Sequence, residues 1–289
     1  MRRKAMELGA VAFGCAEAAP VDTQFVDSYR DWIAEGRHGT MDYLARYDAQ
    51  RFDPRALLPG AATVVCLAFP YRPAGGYHHP LIADYALGQD YHRVLKSKLY
   101  ALGEFIAERF GAQSRPCVDT APIPERYWAW KAGLGWIGLN HQLIVPGVGS
   151  GVFLAELITT FCLEPDQPLE GDCGRCGLCV AKCPGGALGK NGKFDARRCL
   201  SYLSIEFRGE LDGQVLGNHV YGCDECQRVC PHNRFEAPEP LDEFRPDPRL
   251  LLLDREALAN LTKADWRKLS AKSATSRVKL EQIRRNLLR

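Results

Sequence analysis

No apolar run in this chain of 289 residues approaches the roughly 20 residues that a helical membrane span requires. An excess of charge of one sign is missing too. Lys and Arg number 37 against 35 Asp and Glu, and a formal net charge of +2 says nothing by itself about a polyanionic partner. Cysteine is too sparse for a disulfide scaffold, at 12 residues in the whole chain. The opening MRRKAMELGAVAFGCAEAAP has the basic start of a secretory or twin-arginine signal, but Glu7 and Glu17 interrupt its apolar part. A helix feeding a short strand is the expected form of this stretch, and the cytoplasm the expected location.

What cysteine there is lies close together. The run from Cys173 to Pro184, CGRCGLCVAKCP, has the CxxCxxCxxxCP spacing of bacterial-type iron-sulfur proteins, and Cys223, Cys226 and Cys230 answer it, the last again followed by proline. In two-cluster proteins the fourth cysteine of such a run crosses to the other cluster. That rule assigns Cys173, Cys176, Cys179 and Cys230 to one 4Fe-4S site, and Cys183, Cys223 and Cys226 to a second. Cys199, the one unassigned cysteine between the runs, is expected to complete the second. Zinc also takes paired CxxC units, but seldom as a CxxCxxC continued by CP. Cys15, Cys66, Cys117 and Cys162 stand alone in apolar surroundings and are expected to be buried packing residues.

The first 165 residues alternate between helical and extended patterns. Strands are expected near 10–15, 62–69, 114–118, 142–145 and 153–160, and helices near 26–35, 91–110 and 121–132. The second helix carries Val94, Leu95, Leu99, Leu102, Phe105 and Ile106 on one face, and Pro122 and Pro124 open the third. This predicts a layered α/β (α+β) sandwich over 1–165, a double-cluster iron-sulfur module over 166–236 and a basic helical segment over 237–289. In that last segment nine Lys or Arg face two acids between Thr262 and Arg289, and Arg277, Arg284, Arg285 and Arg289 interleave with Val278, Leu280, Ile283, Leu287 and Leu288. An amphipathic basic helix follows, either a solvated face or a phosphate-binding one. GLGWIG, at Gly133, Gly135 and Gly138, matches a dinucleotide fingerprint, but the helix precedes it and the extended stretch follows. A helix-terminating loop that lets the backbone approach something bulky is expected there.

VDTAPIPERYWAWKAGLGWIG, GSGVFLAELITT, CGRCGLCVAKCP, DARRCLSYLSIEFRG and VYGCDECQRVCPHNR, in this order and spanning nearly the whole chain, resemble the epoxyqueuosine reductases of tRNA queuosine synthesis. The resemblance implies a cobalamin-binding domain of the reductive-dehalogenase type, two 4Fe-4S clusters, an external electron donor, and reduction by cob(I)alamin of an epoxide on a tRNA anticodon arm, by a monomer. It implies Asp119 as the proton donor, held protonated by burial, with Arg126 orienting it. Lys131 is expected at the corrin periphery. Tyr43, Asn140, Leu143, Ser201 and Asp224 are implied cofactor contacts, and Arg208 a tRNA contact beside Arg277, Arg284 and Arg285. A helix N-cap is the ordinary alternative for Asp119. No DxHxxG cobalamin motif is present, since Leu95 stands where the glycine after Asp90 and His92 should be. Leu139 and His141 flank Asn140 where family members usually have Lys and Thr or Ser. Many members also continue into helical repeats, whereas this chain stops after LEQIRRNLLR. Two other classes share features of this chain: a dehalogenase-like enzyme acting on a small molecule, and a ferredoxin-type carrier, which would leave the sheet domain unexplained.

Overall fold

A computed structural model describes residues 1–73, 76–234 and 238–289. Among the described residues six strands form, β1 (Ala12–Glu17), β2 (Thr63–Pro70), β3 (Ser114–Cys117), β4 (Trp136–Ile137), β5 (Leu143–Ile144) and β6 (Val152–Thr159). Four of them make one antiparallel sheet in the order β1-β2-β6-β3, while β4 and β5 pair as a separate small hairpin. Every residue of β2 is buried, which is why its sequence, TVVCLAFP, lacks the polar alternation of a half-exposed strand. Its two faces feed two cores. Val64, Cys66 and Ala68 pack with Tyr127, Trp128 and Ala129 of the helix Glu125–Lys131, and Val65, Leu67 and Phe69 pack with the helix Tyr91–Phe110.

That long helix coincides with its sequence signal. Asp90 caps its start by accepting from the His92 amide, and Gly111 ends it at φ +63°. Leu95, Leu99, Leu102 and Ile106 are fully buried along one stripe, each contributing roughly 1.5–3 kcal/mol of transfer free energy. The next helix is shorter than its pattern suggests. It begins at Glu125, with Pro124 as its cap residue, because prolines at 122 and 124 have no N–H to give and push the residues before them out of helical geometry. Gly133 then stops it at φ +72°, and a Cβ on Gly135 would stand 2.0 Å from the Ile144 carbonyl oxygen. The glycines of GLGWIG therefore admit the hairpin's own backbone.

The stretch from Thr262 to Arg289 is not one basic helix. It breaks into the helices Lys263–Ser270 and Leu280–Leu287, and the second lays Leu280 and Ile283 into a core shared with Leu81, Ile82, Leu87, Val220 and Tyr221. The expected boundary at 236/237 lies outside the described residues. Of the four isolated cysteines, Cys15, Cys66 and Cys117 are buried, but Cys162 is exposed, three residues past the end of β6 where the chain has left the sheet. Among the described residues no helix is long and apolar enough to cross a membrane.

Candidate active site and cluster sites

A cleft with about 1510 Å³ of empty space, its open mouth included, lies where the sheet domain meets the cysteine-rich module. Asp119, Glu125, Arg126, Asn140 and Leu143 line it from the first domain, and Ser201, Asp224 and all four of Cys183, Cys199, Cys223 and Cys226 from the second. Cys173, Cys176, Cys179 and Cys230 do not line it. The thiols divide in the same way electrostatically. Cys179 faces Cys230, Cys176 and Cys173, whereas Cys226 faces Cys223, Cys199 and Cys183. Burial pushes the Cys223 thiol up to about 12, so metal binding there must also expel a proton. Among the described residues no three Cys, His, Asp or Glu side chains close round a single ion. A 4Fe-4S cube takes one thiolate per iron and spaces its sulfurs more widely than the roughly 3.8 Å of a tetrahedral zinc site with 2.3 Å bonds. Each quartet matches the cube in number, one thiolate for each of its four irons.

Asp119 follows β3 in left-handed backbone, φ +49°. It caps nothing, since the helix begins six residues later. Its carboxylate Oδ2 lies 2.8 Å from His92 Nε2, and His92 Nδ1 lies 2.7 Å from Asp90 Oδ1. Burial opposes charge on the imidazole, but the two carboxylates outweigh it and raise His92 to about 9. Burial likewise pushes Asp119 up, yet His92, Arg277 and the Tyr91 hydroxyl hold its carboxyl below the usual range. The expectation that burial keeps Asp119 protonated is thus corrected. With 45% of its side-chain surface open, Asp119 is ionised at neutral pH, and the proton of the pair rests on His92. Sequence reading passed over His92, which it weighed only as part of a failed cobalamin motif, and over Glu125 and Glu156. A lone glutamate inside the apolar strand VFLAELIT was the legible signal for the last.

Other expectations fare unevenly. Arg126 turns into the cleft but donates to the His141 carbonyl and makes no hydrogen bond to Asp119. Lys131 lies outside the cleft, paired at 3.0 Å with Asp22, because its helix presents that face to the loop before the helix Thr23–Ala34. Tyr43 does not line the cleft, although it lies near enough to Asp119 and Arg277 to feel their charges. Asn140 is 4% exposed; its Oδ1 accepts from the Gln142 amide while its Nδ2 has no partner. His141 Nε2 is likewise unpartnered, and burial with the Arg126 charge depresses that imidazole to about 4. Two orphaned polar atoms above apolar Leu143, Val152 and Leu200 fit a large ligand with an amide-bearing rim, as a corrin has. Both ring nitrogens of His92 are engaged by carboxylates, so His92 is not free to ligate cobalt.

Of the four arginines expected on tRNA, two are committed elsewhere. Arg285 donates to the carbonyls of Leu203, Phe207 and Gly209, and Arg208 to Gln282 and the Arg277 carbonyl, so these guanidiniums tie the last helix to the cluster module. Arg277 pairs with Glu206 at 2.8 Å, and its charge reaches Asp119. Arg284 is exposed and donates to the Leu261 carbonyl.

Residues 51–120 match the family model described as Epoxyqueuosine reductase QueG, DUF1730, and residues 172–233 the 4Fe-4S double cluster binding domain. The epoxyqueuosine reductase of Vibrio cholerae is 38% identical, with 100% of this chain and 81% of that protein covered. That of Cyclobacterium marinum is also 38% identical, over 99% of this chain and 94% of its own length. A crystal structure of selenomethionine-labelled epoxyqueuosine reductase superposes at TM-score 0.90 with 29% identity, over 99% of this chain and 79% of the other. Another, of an epoxyqueuosine reductase with an epoxyqueuosine-modified tRNA-Tyr stem loop, superposes at 0.88 with 29% identity, over 99% and 78%. On fold, cysteine pattern and sequence together, this chain belongs to the epoxyqueuosine reductase family.

Proposed function

We propose that this chain reduces the epoxide of epoxyqueuosine at the wobble position of tRNA to the alkene of queuosine, working in the cytoplasm as a monomer fed by an external electron donor. The observation that carries this reading is one cleft lined both by the second cysteine quartet and by Asp119 with its His92 partner. Each epoxide consumes two electrons and two protons and releases its oxygen as water. The first quartet, away from the cleft, receives electrons, and the second, at its wall, delivers them. When bound, cobalamin supplies a strongly reducing cobalt centre at the reacting carbon. Asn140, Arg126, Leu143, Ser201 and Asp224, which line the cleft, would hold that cofactor. His92 and Asp119 hold a proton at the epoxide oxygen until the oxygen departs. The test is anaerobic reconstitution, followed by incubation with a chemical reductant and tRNA carrying epoxyqueuosine. Queuosine should form, and cobalamin should stay with the protein through gel filtration. Unchanged epoxyqueuosine with clusters and cobalamin both in place would overturn the reading.

Within this function the basic C-terminal region divides its labour. Arg284→Ala and Arg277→Ala should each weaken tRNA binding at all sequences and flatten the log–log salt dependence by about one unit. Arg285→Ala should instead destabilise the fold by roughly 1.5–3 kcal/mol, because charged hydrogen bonds to three carbonyls are lost. Thermal denaturation and salt-dependent binding separate the two effects. An unchanged salt slope in the first two variants returns that surface to plain solvation.

A further inference from the structure

Beneath the cleft lies a group that the reading above leaves unused. Glu156 sits mid-strand in β6, between Cys66 of β2 and Cys117 of β3 in register, and is 0% exposed. Neither of its carboxyl oxygens has an N–H or O–H donor. An ionised carboxylate so buried and unpaired would cost several kcal/mol, so the group keeps its proton. A carboxylic acid is itself a donor, and the acceptor within its reach is the carboxylate of Glu125. Glu125 in turn lines the cleft, and its Oε1 accepts from the backbone amide of Asp119. Acid, carboxylate and cleft thus follow one another from the sheet interior outward.

We propose that Glu156 and Glu125 form a proton-sharing acid pair that supplies the second of the two protons each turnover consumes. The proposal rests on the epoxide-reducing function above. The first proton leaves the His92–Asp119 pair for the departing oxygen, and that pair is then one proton short. Glu156 passes its proton to Glu125, and Glu125 passes one into the cleft at Asp119, so that the oxygen leaves as water and both glutamates await reloading from solvent. No electron moves in this step; both electrons of the reduction come through the clusters. The surroundings favour retention of the proton. The Cys66 and Cys117 thiols on the flanking strands are pushed up by burial and stay neutral, and Tyr91 is also a neutral phenol. The charges facing the pair are Asp119, His92 and Arg126, all at the cleft end. Burial, and for each carboxyl the nearness of another, push both glutamates above the ordinary carboxyl range.

Glutamate labelled with carbon-13 at its side-chain carboxyl reports the pair without any turnover. In the reconstituted protein two glutamates should titrate together well above the usual range. In Glu156→Gln the joint titration should collapse to a single step at Glu125, since the carboxyl that shares its proton is gone. Cluster absorption checks that the fold survives, and Glu125→Gln, changed on the cleft side, makes the reciprocal measurement if Glu156→Gln does not fold. In turnover, Glu156→Gln should lose up to about a hundredfold at alkaline pH and much less at acid pH, where solvent delivers the proton. Ordinary titration of both glutamates overturns the pair. Paired titration with an unchanged pH–rate profile overturns the relay. A failure of the whole enzyme to reduce epoxyqueuosine would leave the titration intact, and so falls on the functional reading alone.

Discussion

Asp119→Asn will take up its clusters, bind cobalamin and lose at least about a hundredfold in epoxide reduction, the lower end of what general acid catalysis is worth. The asparagine keeps the shape and can still touch His92, but it removes the anion that holds the imidazolium. His92, raised to about 9 by Asp119 and Asp90, should fall toward its ordinary value, and a histidine proton resonance will follow that fall. A stability difference should accompany it, with a sign set by linkage. A raised His92 contributes stability in full below its unfolded pKa of about 6.5 and loses it as pH rises through about 9. A lowered Asp119 contributes above its unfolded value of about 3.8 and loses that as pH falls through the lower, folded value. The parent should therefore exceed the variant most between those limits and converge with it in strong acid and strong base. Activity within a few-fold of the parent would remove Asp119 from the chemistry, and the cap that could have explained such a result is absent, since Pro124 holds the cap position of the helix.

Cys199→Ala should halve the iron, from about eight to about four per chain, and abolish turnover. Cys199 has no CxxC partner of its own, and its assignment rests on lying between the two runs. In the fold it lines the cleft and faces Cys183, with Cys223 and Cys226 completing the group. Losing the cluster next to the cleft interrupts the last transfer of electrons, whereas the signal of the distant cluster should persist in paramagnetic resonance after reduction. Iron remaining at about eight, or zinc in its place, would refute the assignment.

The sheet and the long helix were legible because burial writes itself into composition. A strand covered on both faces must be apolar throughout, and a helix on a sheet must repeat its leucines at helical spacing, as Leu95, Leu99, Leu102 and Ile106 do. The double-cluster module was legible because the spacing of cysteines within each run is local. What stayed hidden depends on which partner consumes a donor. Arg284 and Arg285 are adjacent, both basic and both in an amphipathic helix, yet one is open and the other is spent on three carbonyls that sequence does not bring near it. His92 and Asp119 are 2.8 Å apart but belong to different elements, and their spacing along the chain carries no period. The protonation of Asp119 went astray for the same reason. Burial was foreseeable, but the neighbouring cations that outweigh it come from a helix start and from the far C-terminal segment.

The crossing of cysteines between the two quartets has a consequence for biogenesis. If Cys230 completes the first cluster and Cys183 joins the second, neither can be finished on a nascent chain that has exposed only the first run. Both wait for translation of the second run, so a ribosome stalled between Cys183 and Cys223 would display thiols that no cluster can satisfy. Iron-sulfur delivery to this protein should therefore be a single late event, and partially loaded chains should be rare among newly made molecules.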